Sequence, residues 1–309
     1  MTQANAYEQY MLELINIERA KVGSQPLAFD GDLNESAENH STWMIATDTF
    51  SHTGVGGSSP GDRMKTAGYI FSGSWSWGEN IAWMSTRAPT GLQDEVLQLH
   101  TMLMNSSGHR ANILNNNFRE IGVGFEVGQY QAYEGAFVTQ NFAKTNTNPF
   151  LTGVAFDDRD DDLRYDMGEG LSNFTVSAKN NTTGAITTTQ TTLAGGYELE
   201  LAAGNYTISF SAPGFTTTTK QASISTKNVK LDLIDPVGSN TINGTSGPDT
   251  LQGTTNSDII FGNGGNDIIN GNAGNDRIDG GTGNDRIIGA NGSDTLTGGN
   301  GQDTFVLNT

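Results

Sequence analysis

Aspartate recurs at a fixed spacing in the last seventy residues. A Gly stands five residues before each Asp, and an apolar residue stands two after it. Carboxylate and backbone carbonyl oxygens are the ligands of Ca²⁺, which takes about 6 to 8 of them. The spacing therefore predicts stacked calcium-binding turns. The aspartates are Asp249, Asp258, Asp267, Asp276, Asp285, Asp294 and Asp303, and the glycines expected to serve the same sites are Gly262, Gly265, Gly271, Gly274, Gly280 and Gly283.

Each nine-residue unit predicts a turn of six residues and a strand of three with one inward apolar side chain. Stacked copies give a parallel β-roll, expected over residues 237–309. The segment resembles the GGxGxDxUx repeat of RTX (repeats-in-toxin) proteins. That resemblance implies two units per coil. Asp249, Asp267, Asp285 and Asp303 would then line one edge, and Asp258, Asp276 and Asp294 the other.

The resemblance also implies a calcium switch and a route of export. Gly-rich turns carry a large ordering entropy, and one Ile or Leu per unit buries little, so calcium binding is expected to drive folding. RTX proteins typically leave Gram-negative bacteria unfolded through type I secretion machinery. The first residues, "MTQANAYEQYMLELINIERAKVG", predict an amphipathic helix and no cleaved signal peptide. We therefore expect an extracellular protein.

An acidic loop, "DDRDDDLRYDMGEGL", lies near the start of the middle module. Its carboxylates fall on positions 1, 3, 5, 9 and 12 of an EF-hand loop, but Leu163 stands at position 6, where that loop needs Gly. A second calcium site is expected here, and the alternative is a solvated acidic turn. The expected ligands are Asp158, Asp160, Asp162, Asp166 and Glu169.

Residues 149–236 alternate apolar and polar side chains in short runs, as in Tyr206, Ile208 and Phe210. This period of two predicts half-buried strands and an antiparallel β-sandwich. The module resembles the calcium-stapled sandwich repeats of bacterial adhesins and the transthyretin-like sandwich appended to some carboxypeptidases. Either resemblance implies a spacer or an adhesive domain.

Residues 1–148 carry helical periodicity at 5–22, 31–46 and 92–106. The motifs "FSHTG", "WGENIAW" and "MNSSGHRANILNNNFREIGVGF" occur there in order. Together they resemble the CAP superfamily of cysteine-rich secretory, antigen 5 and pathogenesis-related proteins. The resemblance covers about residues 7 to 143 and implies an α-β-α sandwich with a cleft over its sheet.

In that family the cleft can hold a divalent metal, often zinc. Carried over by motif, the site residues are His52, Glu79 and His109, which are also the catalytic candidates. Imidazole and carboxylate are ligands that zinc accepts, so zinc or another divalent ion is expected. Ser106 occupies the position where many eukaryotic members have Glu, and Glu120 is the alternative fourth acid.

The two remaining histidines are interpreted as structural. His40 lies on the apolar side of its helix and is expected to be a hydrogen-bonded core residue. His100 belongs to no motif and is expected to be an exposed helix residue.

The amino-acid composition limits which binding partners and which chemistry are expected. Lys and Arg number 16 against 34 Asp and Glu, which gives a formal charge of −18. Nucleic acid is therefore excluded as an expected partner, and divalent cations are favoured. The chain has no Cys, so disulfides and thiolate chemistry are excluded. No run of about 18 apolar residues occurs, and no membrane span is expected.

Three functions fit these patterns. The first is a secreted calcium-binding protein whose CAP cleft holds a lipid, glycan or peptide. The second is an extracellular hydrolase of protein or cell wall that uses His52, Glu79 and His109 with a metal-bound water. The third is a calcium-dependent adhesin. We take the first as the working hypothesis.

Overall fold

The structure, a computed structural model, describes residues 3–87, 91–160, 162–213, 215–236 and 241–306. The chain divides into two compact units. The first unit comprises Met1–Ala155, Tyr165–Ile208 and Lys220–Asp232, and the second comprises Phe156–Arg164, Ser209–Thr219 and Leu233–Thr309. Residue 148, the end expected for the N-terminal module, lies within the first unit.

Three helices in the first unit begin at side-chain caps. Asn5 accepts from the backbone of Tyr7 and Glu8, and the Glu8 carboxylate accepts from the Asn5 backbone, which forms a capping box. Asp30 and Ser59 cap two further helices. The three helices predicted from periodicity are present. The helices are α1 (Ala6–Lys21), α2 (Gly31–Ala46), α3 (Pro60–Thr66), α4 (Gln93–Asn105) and α5 (Ser107–Leu114), with a 3₁₀ turn at Val55–Gly57.

The N-terminal sheet has the strand order β1-β3-β4-β2. β1 runs parallel to β3, while β4 pairs antiparallel with both β2 and β3. Helix α2 packs on β3 and β4, and α4 and α5 contact β2. A Cβ at Gly122 or Gly124 would collide with the α2 backbone, so these two glycines allow α2 to lie directly on β3. The strands are β1 (Ala28–Phe29), β2 (Ser76–Ser85), β3 (Glu120–Tyr130) and β4 (Tyr133–Lys144).

The middle module is built of short strands, as the alternation predicts. β6 pairs antiparallel with β7 and β8 with β5, whereas β11 pairs parallel with β5. Tyr206, Ile208 and Phe210 on β9 are all buried. The strands are β5 (Phe150–Phe156), β6 (Thr175–Asn180), β7 (Ile186–Gln190), β8 (Gly196–Glu200), β9 (Gly204–Ser211), β10 (Thr218–Ile224), β11 (Val229–Lys230) and β12 (Leu233–Ile234).

Asn228 joins the N-terminal and middle modules within the first unit. Its Nδ2 donates to the Pro26 carbonyl (3.0 Å) and the Arg119 carbonyl (2.7 Å), and its Oδ1 accepts from the Phe150 backbone (2.9 Å). Its own N–H donates to Gln25 Oε1 (2.9 Å). The side chain is 4% exposed. One buried amide therefore satisfies backbone groups of both modules.

The second unit contains the β-roll. Every strand has three residues, and each pairs in parallel with the strand 18 residues later, in the orders β13-β15-β17-β19 and β14-β16-β18-β20. Ile260, Ile269, Ile278 and Ile287 form its fully buried apolar core. The strands are β13 (Thr241–Asn243), β14 (Thr250–Gln252), β15 (Ile259–Phe261), β16 (Ile268–Asn270), β17 (Arg277–Asp279), β18 (Arg286–Ile288), β19 (Thr295–Thr297) and β20 (Thr304–Val306).

Within the described ranges, no helix combines the length and the apolar character needed to cross a membrane.

Candidate functional site

His52 and Glu79 form the centre of the N-terminal site. His52 Nδ1 lies 2.8 Å from Glu79 Oε1. The His52 side chain is 54% exposed, whereas that of Glu79 is 1% exposed. The carboxylate therefore fixes the orientation of the imidazole and leaves Nε2 directed away from this hydrogen bond.

Arg63 of α3 occupies the other oxygen of Glu79. Its Nη2 donates to Glu79 Oε2 at 2.5 Å. Its Nη1 donates to the carbonyls of His52 and Ser58, each at 3.0 Å. A planar guanidinium suits several such bonds at once. Arg63 thus ties Glu79 to the loop that carries His52, and no sequence motif had singled it out.

Asparagines connect β2 to the helix that carries His109. Asn80 Nδ2 donates to the His109 carbonyl (3.1 Å), and Asn112 Nδ2 donates to Asn80 Oδ1 (2.9 Å). Burial, and then the nearby His52, lower the pKa of His109. His109 is therefore a neutral hydrogen-bonding group at pH 7, positioned by the backbone.

His109 and Ser106 border a cavity of about 300 Å³ whose other walls are apolar. Ser106 is the residue between α4 and α5. Of the apolar residues, Phe50 and Met102 are 42% and 48% exposed. The cavity therefore combines an open hydrophobic wall with one polar end. Its apolar lining consists of Phe50, Ile81, Ala82, Trp83, Met102 and Leu103.

His52, Glu79 and His109 are not among the described residues whose ligand atoms form a group of three close enough to share one ion. Both oxygens of Glu79 accept hydrogen bonds, from His52 and from Arg63. Among the described residues, the one group of three His, Cys, Asp or Glu ligand atoms close enough for a metal lies in the acidic loop. The residues around His52 therefore do not present the three protein ligands of a catalytic zinc site.

Glu120, the alternative fourth acid, is engaged elsewhere. It is buried, and its Oε2 accepts from the Tyr69 hydroxyl at 2.7 Å. Burial raises its pKa to about 7.

His40 is buried as expected, with Nε2 at 2.9 Å from the Ser51 carbonyl. The expectation for His100 is wrong, because His100 is 5% exposed. Helix α4 packs on α1, and His100 lies on the same buried face of α4 as Val96, Leu99 and Leu103.

The β-roll presents two edges of aspartates, as the repeat predicts. The Asp249 N–H donates to Asp267 Oδ1 (2.8 Å), and the Asp267 N–H donates to Asp285 Oδ1 (2.9 Å). The same bonds join Asp258 to Asp276 and Asp276 to Asp294. Each such Asp uses Oδ1 to hold the coil before it.

The second carboxylate oxygens are the candidate cation ligands. Oδ2 of Asp267, Asp276 and Asp285 is buried without a hydrogen-bond partner. A Cβ at Gly271 would collide with Asp276 Oδ2 and approach the Gly289 carbonyl. The first Gly of the repeat thus lets a carboxylate oxygen and a carbonyl oxygen come close together, which suits Ca²⁺. Gly262 and Gly280 have the same surroundings, and Gly265, Gly274 and Gly283 have φ of 110°, 106° and 132°.

Three of the five expected ligands of the acidic loop lie close together. Asp158, Asp160 and Asp162 of the second unit each place a carboxylate oxygen within 4.8 Å of the others. Leu163 has φ 61°, so it takes the left-handed conformation that Gly would supply, at about 1 kcal/mol. Asp166 and Glu169 belong to the first unit, where Asp166 Oδ1 accepts from Gln93 (3.0 Å) and its N–H donates to Glu169 (2.8 Å).

Family comparisons identify the modules. Residues 12–142 match the cysteine-rich secretory protein (CAP) family, and residues 164–234 match the carboxypeptidase regulatory-like domain. Residues 237–269 and 270–305 match the RTX calcium-binding nonapeptide repeat. The chain therefore contains a CAP domain, a carboxypeptidase regulatory-like β-domain and RTX calcium-binding repeats, in this order.

Relatives share the CAP portion. The uncharacterized protein YkwD of Bacillus subtilis (strain 168) is 38% identical over 141 residues, which are 46% of this chain and 48% of YkwD. The uncharacterized membrane protein YlbC of the same organism is 31% identical over 137 residues, 44% of this chain and 34% of YlbC. The solved structure of an extracellular protein with an SCP domain from Bacillus anthracis str. Ames is 32% identical in sequence. The match covers 45% of this chain and 40% of that chain, with a TM-score of 0.36. The chain spans less than half the length of these curated relatives.

Proposed function

We propose that the chain is an extracellular calcium-binding protein whose CAP domain binds an amphipathic lipid with a single acyl chain. The cavity at His109 supports this proposal, because six apolar side chains line it and the polar groups lie together at one end. An acyl chain would contact Phe50, Trp83 and Met102. The lipid's polar end would form hydrogen bonds with Ser106 and with neutral His109.

A fluorescent long-chain fatty acid tests this proposal. Met102→Glu places a charge on the cavity wall and is expected to weaken fatty-acid binding at least tenfold, since burying an unpaired carboxylate is unfavourable. Leu97→Glu is the matched control, because Leu97 lies on the same helix, is 43% exposed and does not line the cavity. Equal loss of binding in both variants, or no loss in either, would contradict the lipid site.

The tail is proposed to fold on calcium after type I export. The buried, unpartnered Asp oxygens support coupling of folding to Ca²⁺ binding, and RTX repeats are typical of secreted proteins. Expression with and without a type I exporter, followed by N-terminal sequencing of the secreted chain, tests the route. Export that needs no such exporter, or a shortened N-terminus, would contradict it.

A hydrolase is the second candidate function, favoured by the His52–Glu79 pair. A carboxylate that orients a half-exposed imidazole is a common arrangement for a general base. Hydrolysis of casein or peptidoglycan that disappears in His52→Ala would support this function, and unchanged substrates after long incubation would exclude it.

A metal in this cleft stays a prediction, as does a calcium ion in the acidic loop. Since both Glu79 oxygens are engaged, a cleft metal would have His52 and His109 as its protein ligands from this set. Element analysis of the purified protein before and after EGTA treatment counts both classes of ion.

A further inference from the structure

Two rows of turn residues run along the edges of the roll. Each row consists of residues that directly precede an Asp of the repeat. Neighbours in a row are joined across one coil by hydrogen bonds of 2.8 to 3.0 Å. The first, which we call the docking row, is Ser257, Asn275 and Ser293, and the second, the open row, is Asn266, Asn284 and Gln302.

The docking row contacts the start of the acidic loop. Asn275 Nδ2 donates to Asp157 Oδ1 at 3.1 Å, and Ser293 Oγ donates to the Arg159 carbonyl at 3.0 Å. Asp157 is 8% exposed. Asn275 is half-buried, whereas its counterpart in the open row, Asn284, is exposed. These residues all belong to the second unit. The acidic loop therefore covers the docking row, and the open row faces solvent.

A second contact holds the same loop from the segment that leads into the roll. The Asp158 N–H donates to Asp235 Oδ1 (2.7 Å), and the Asp235 N–H donates to the Phe156 carbonyl (3.1 Å). The Asp158 carboxylate in turn accepts from the N–H groups of Asp162 (3.2 Å) and Leu163 (2.8 Å). The bonds within the loop therefore start from Asp158, whose neighbours Asp157 and Arg159 are held by the roll.

Charge opposes this contact when no cation is bound. Asp157, Asp235 and Asp258 border one cavity of about 260 Å³, and Arg277 is the basic residue on its wall. Carboxylates around one small cavity repel each other more strongly than they would in open water. A divalent cation bound at Asp258 would offset that repulsion. The contact is therefore most favourable when the roll has bound calcium.

Folding of the roll creates the docking row. Its members are 18 residues apart in sequence and meet only when successive coils stack in parallel. Asn275 contacts both neighbours, since its N–H donates to Ser257 Oγ and its Oδ1 accepts from the Ser293 N–H. An unfolded roll does not present this surface to Asp157. Whatever stabilises the folded roll therefore also favours the ordered acidic loop.

We propose that the docking row is an internal binding surface for the acidic loop, through which the folded roll orders the start of the middle module. Asn275 is the positioning residue, because it contacts Asp157 as well as both neighbours in its row. The chain leaves the first unit after Ala155 and returns to it at Tyr165. The calcium state of the roll thus affects a segment of the middle module. This coupling rests on the proposed calcium-dependent folding of the tail.

Hydrogen exchange of the Asp158, Asp162 and Leu163 amides tests the contact. It is measured by NMR on the full chain in saturating Ca²⁺, where the roll is folded. Asn275→Ala is expected to speed exchange of these amides about tenfold, which corresponds to about 1.4 kcal/mol. That is the size expected for the loss of one hydrogen bond to a carboxylate.

Asn284→Ala is the matched control in the open row. Asn284 Oδ1 accepts from the Gln302 N–H at 2.8 Å, just as Asn275 Oδ1 accepts from Ser293, so both variants lose the same bond along a row. Among the described residues, Asn284 has no bond to the acidic loop. The loop amides of Asn284→Ala are therefore expected to exchange as in the wild type.

Removal of calcium tests the coupling. As EGTA is added, the loop amides are expected to become fast at the same Ca²⁺ concentration at which far-UV circular dichroism reports unfolding of the roll. Asp160→Ala separates this effect from an ion in the loop itself, because Asp160 is an exposed member of the loop's own acidic group. The loop amides of this variant are still expected to follow the calcium curve of the roll.

Equal exchange of the loop amides in Asn275→Ala and Asn284→Ala would overturn the docking surface. Loop amides of Asp160→Ala that stay fast after the roll has folded would overturn the coupling, because the loop would then be ordered by its own ion. A far-UV spectrum that EGTA leaves unchanged would instead contradict the proposed folding on calcium. The two Asn variants would still test the contact in that case.

Discussion

Arg63 determines what Glu79 can do. Glu79 lies in a motif that marks a cleft acid, but the structure gives one of its oxygens to His52 and the other to Arg63. The motifs predicted where His52, Glu79 and His109 lie along the chain. They did not predict this pairing, because Arg63 comes from a short helix whose position depends on tertiary packing.

The buried carboxyl group of Glu120 gives a prediction about a single residue. The pKa of Glu120 is raised from 4.5 to about 7, chiefly by burial. The unfolded chain therefore loses this proton first as pH rises, and the group's contribution to stability, full below pH 4.5, is lost by about pH 7. The unfolding free energy of the wild type is expected to fall between pH 5 and 8. In Glu120→Gln this fall is expected to be smaller by roughly 3 kcal/mol.

Urea denaturation followed by Trp fluorescence measures this effect. Tyr69→Phe is the companion variant, because the Tyr69 hydroxyl bond lowers the pKa of Glu120 and so opposes the shift. The unfolding free energy of Tyr69→Phe is expected to fall more steeply with pH than that of the wild type. Identical pH slopes in all three proteins would show that Glu120 does not carry the effect.

The positions of helices and strands were the feature of the structure that the sequence predicted best. Period-3.6 patterns placed the main helices, and the nine-residue spacing placed every described strand of the roll, since each strand is centred on the apolar residue of its repeat. The bridging role of Asn228 was not predictable, because it depends on which surfaces meet, and short sequence patterns do not encode such contacts. The interior position of His100 was predictable, since His100 lies on one helical face with Val96, Leu99 and Leu103.

Substitutions at two glycines of the roll test how its turns bind calcium. Gly271→Ala would force a Cβ against Asp276 Oδ2, so the variant is expected to need several-fold more Ca²⁺ for half-folding. Gly264→Ala is the control. Its nearest neighbour would be Thr282 Oγ1 at 3.1 Å, and the next repeat already carries Ala273 at the equivalent position. Far-UV circular dichroism against Ca²⁺ concentration measures both, and equal midpoints would contradict the packing argument.

At the scale of the whole molecule, the two units differ in what stabilises them. The first has an extensive apolar core, whereas the roll buries one isoleucine per nine residues and places unpaired carboxylate oxygens inside. The residue composition of each segment predicted this difference in apolar burial. It did not predict that most of the middle module packs with the N-terminal module into one unit, with buried polar contacts between the two modules.

Chelation should separate the two units. All four tryptophans, Trp43, Trp75, Trp77 and Trp83, lie in the CAP domain. EGTA is expected to change the far-UV spectrum as the roll unfolds and to leave the Trp fluorescence maximum unchanged. A Trp signal that follows the same calcium curve as the far-UV signal would show that the CAP domain also depends on the ion.

The aspartate ladder has a direction. Each carboxylate restrains the backbone 18 residues earlier, so a fault at Asp285 deprives Asp267 of its acceptor while the bond from the Asp285 N–H to Asp303 can persist. The direct loss therefore falls on the coil at the amino side. Substitution of Asp303, the last aspartate of its ladder, should consequently be more harmful than substitution of Asp249, the first, whose carboxylate has no earlier coil to restrain, although every repeat looks alike.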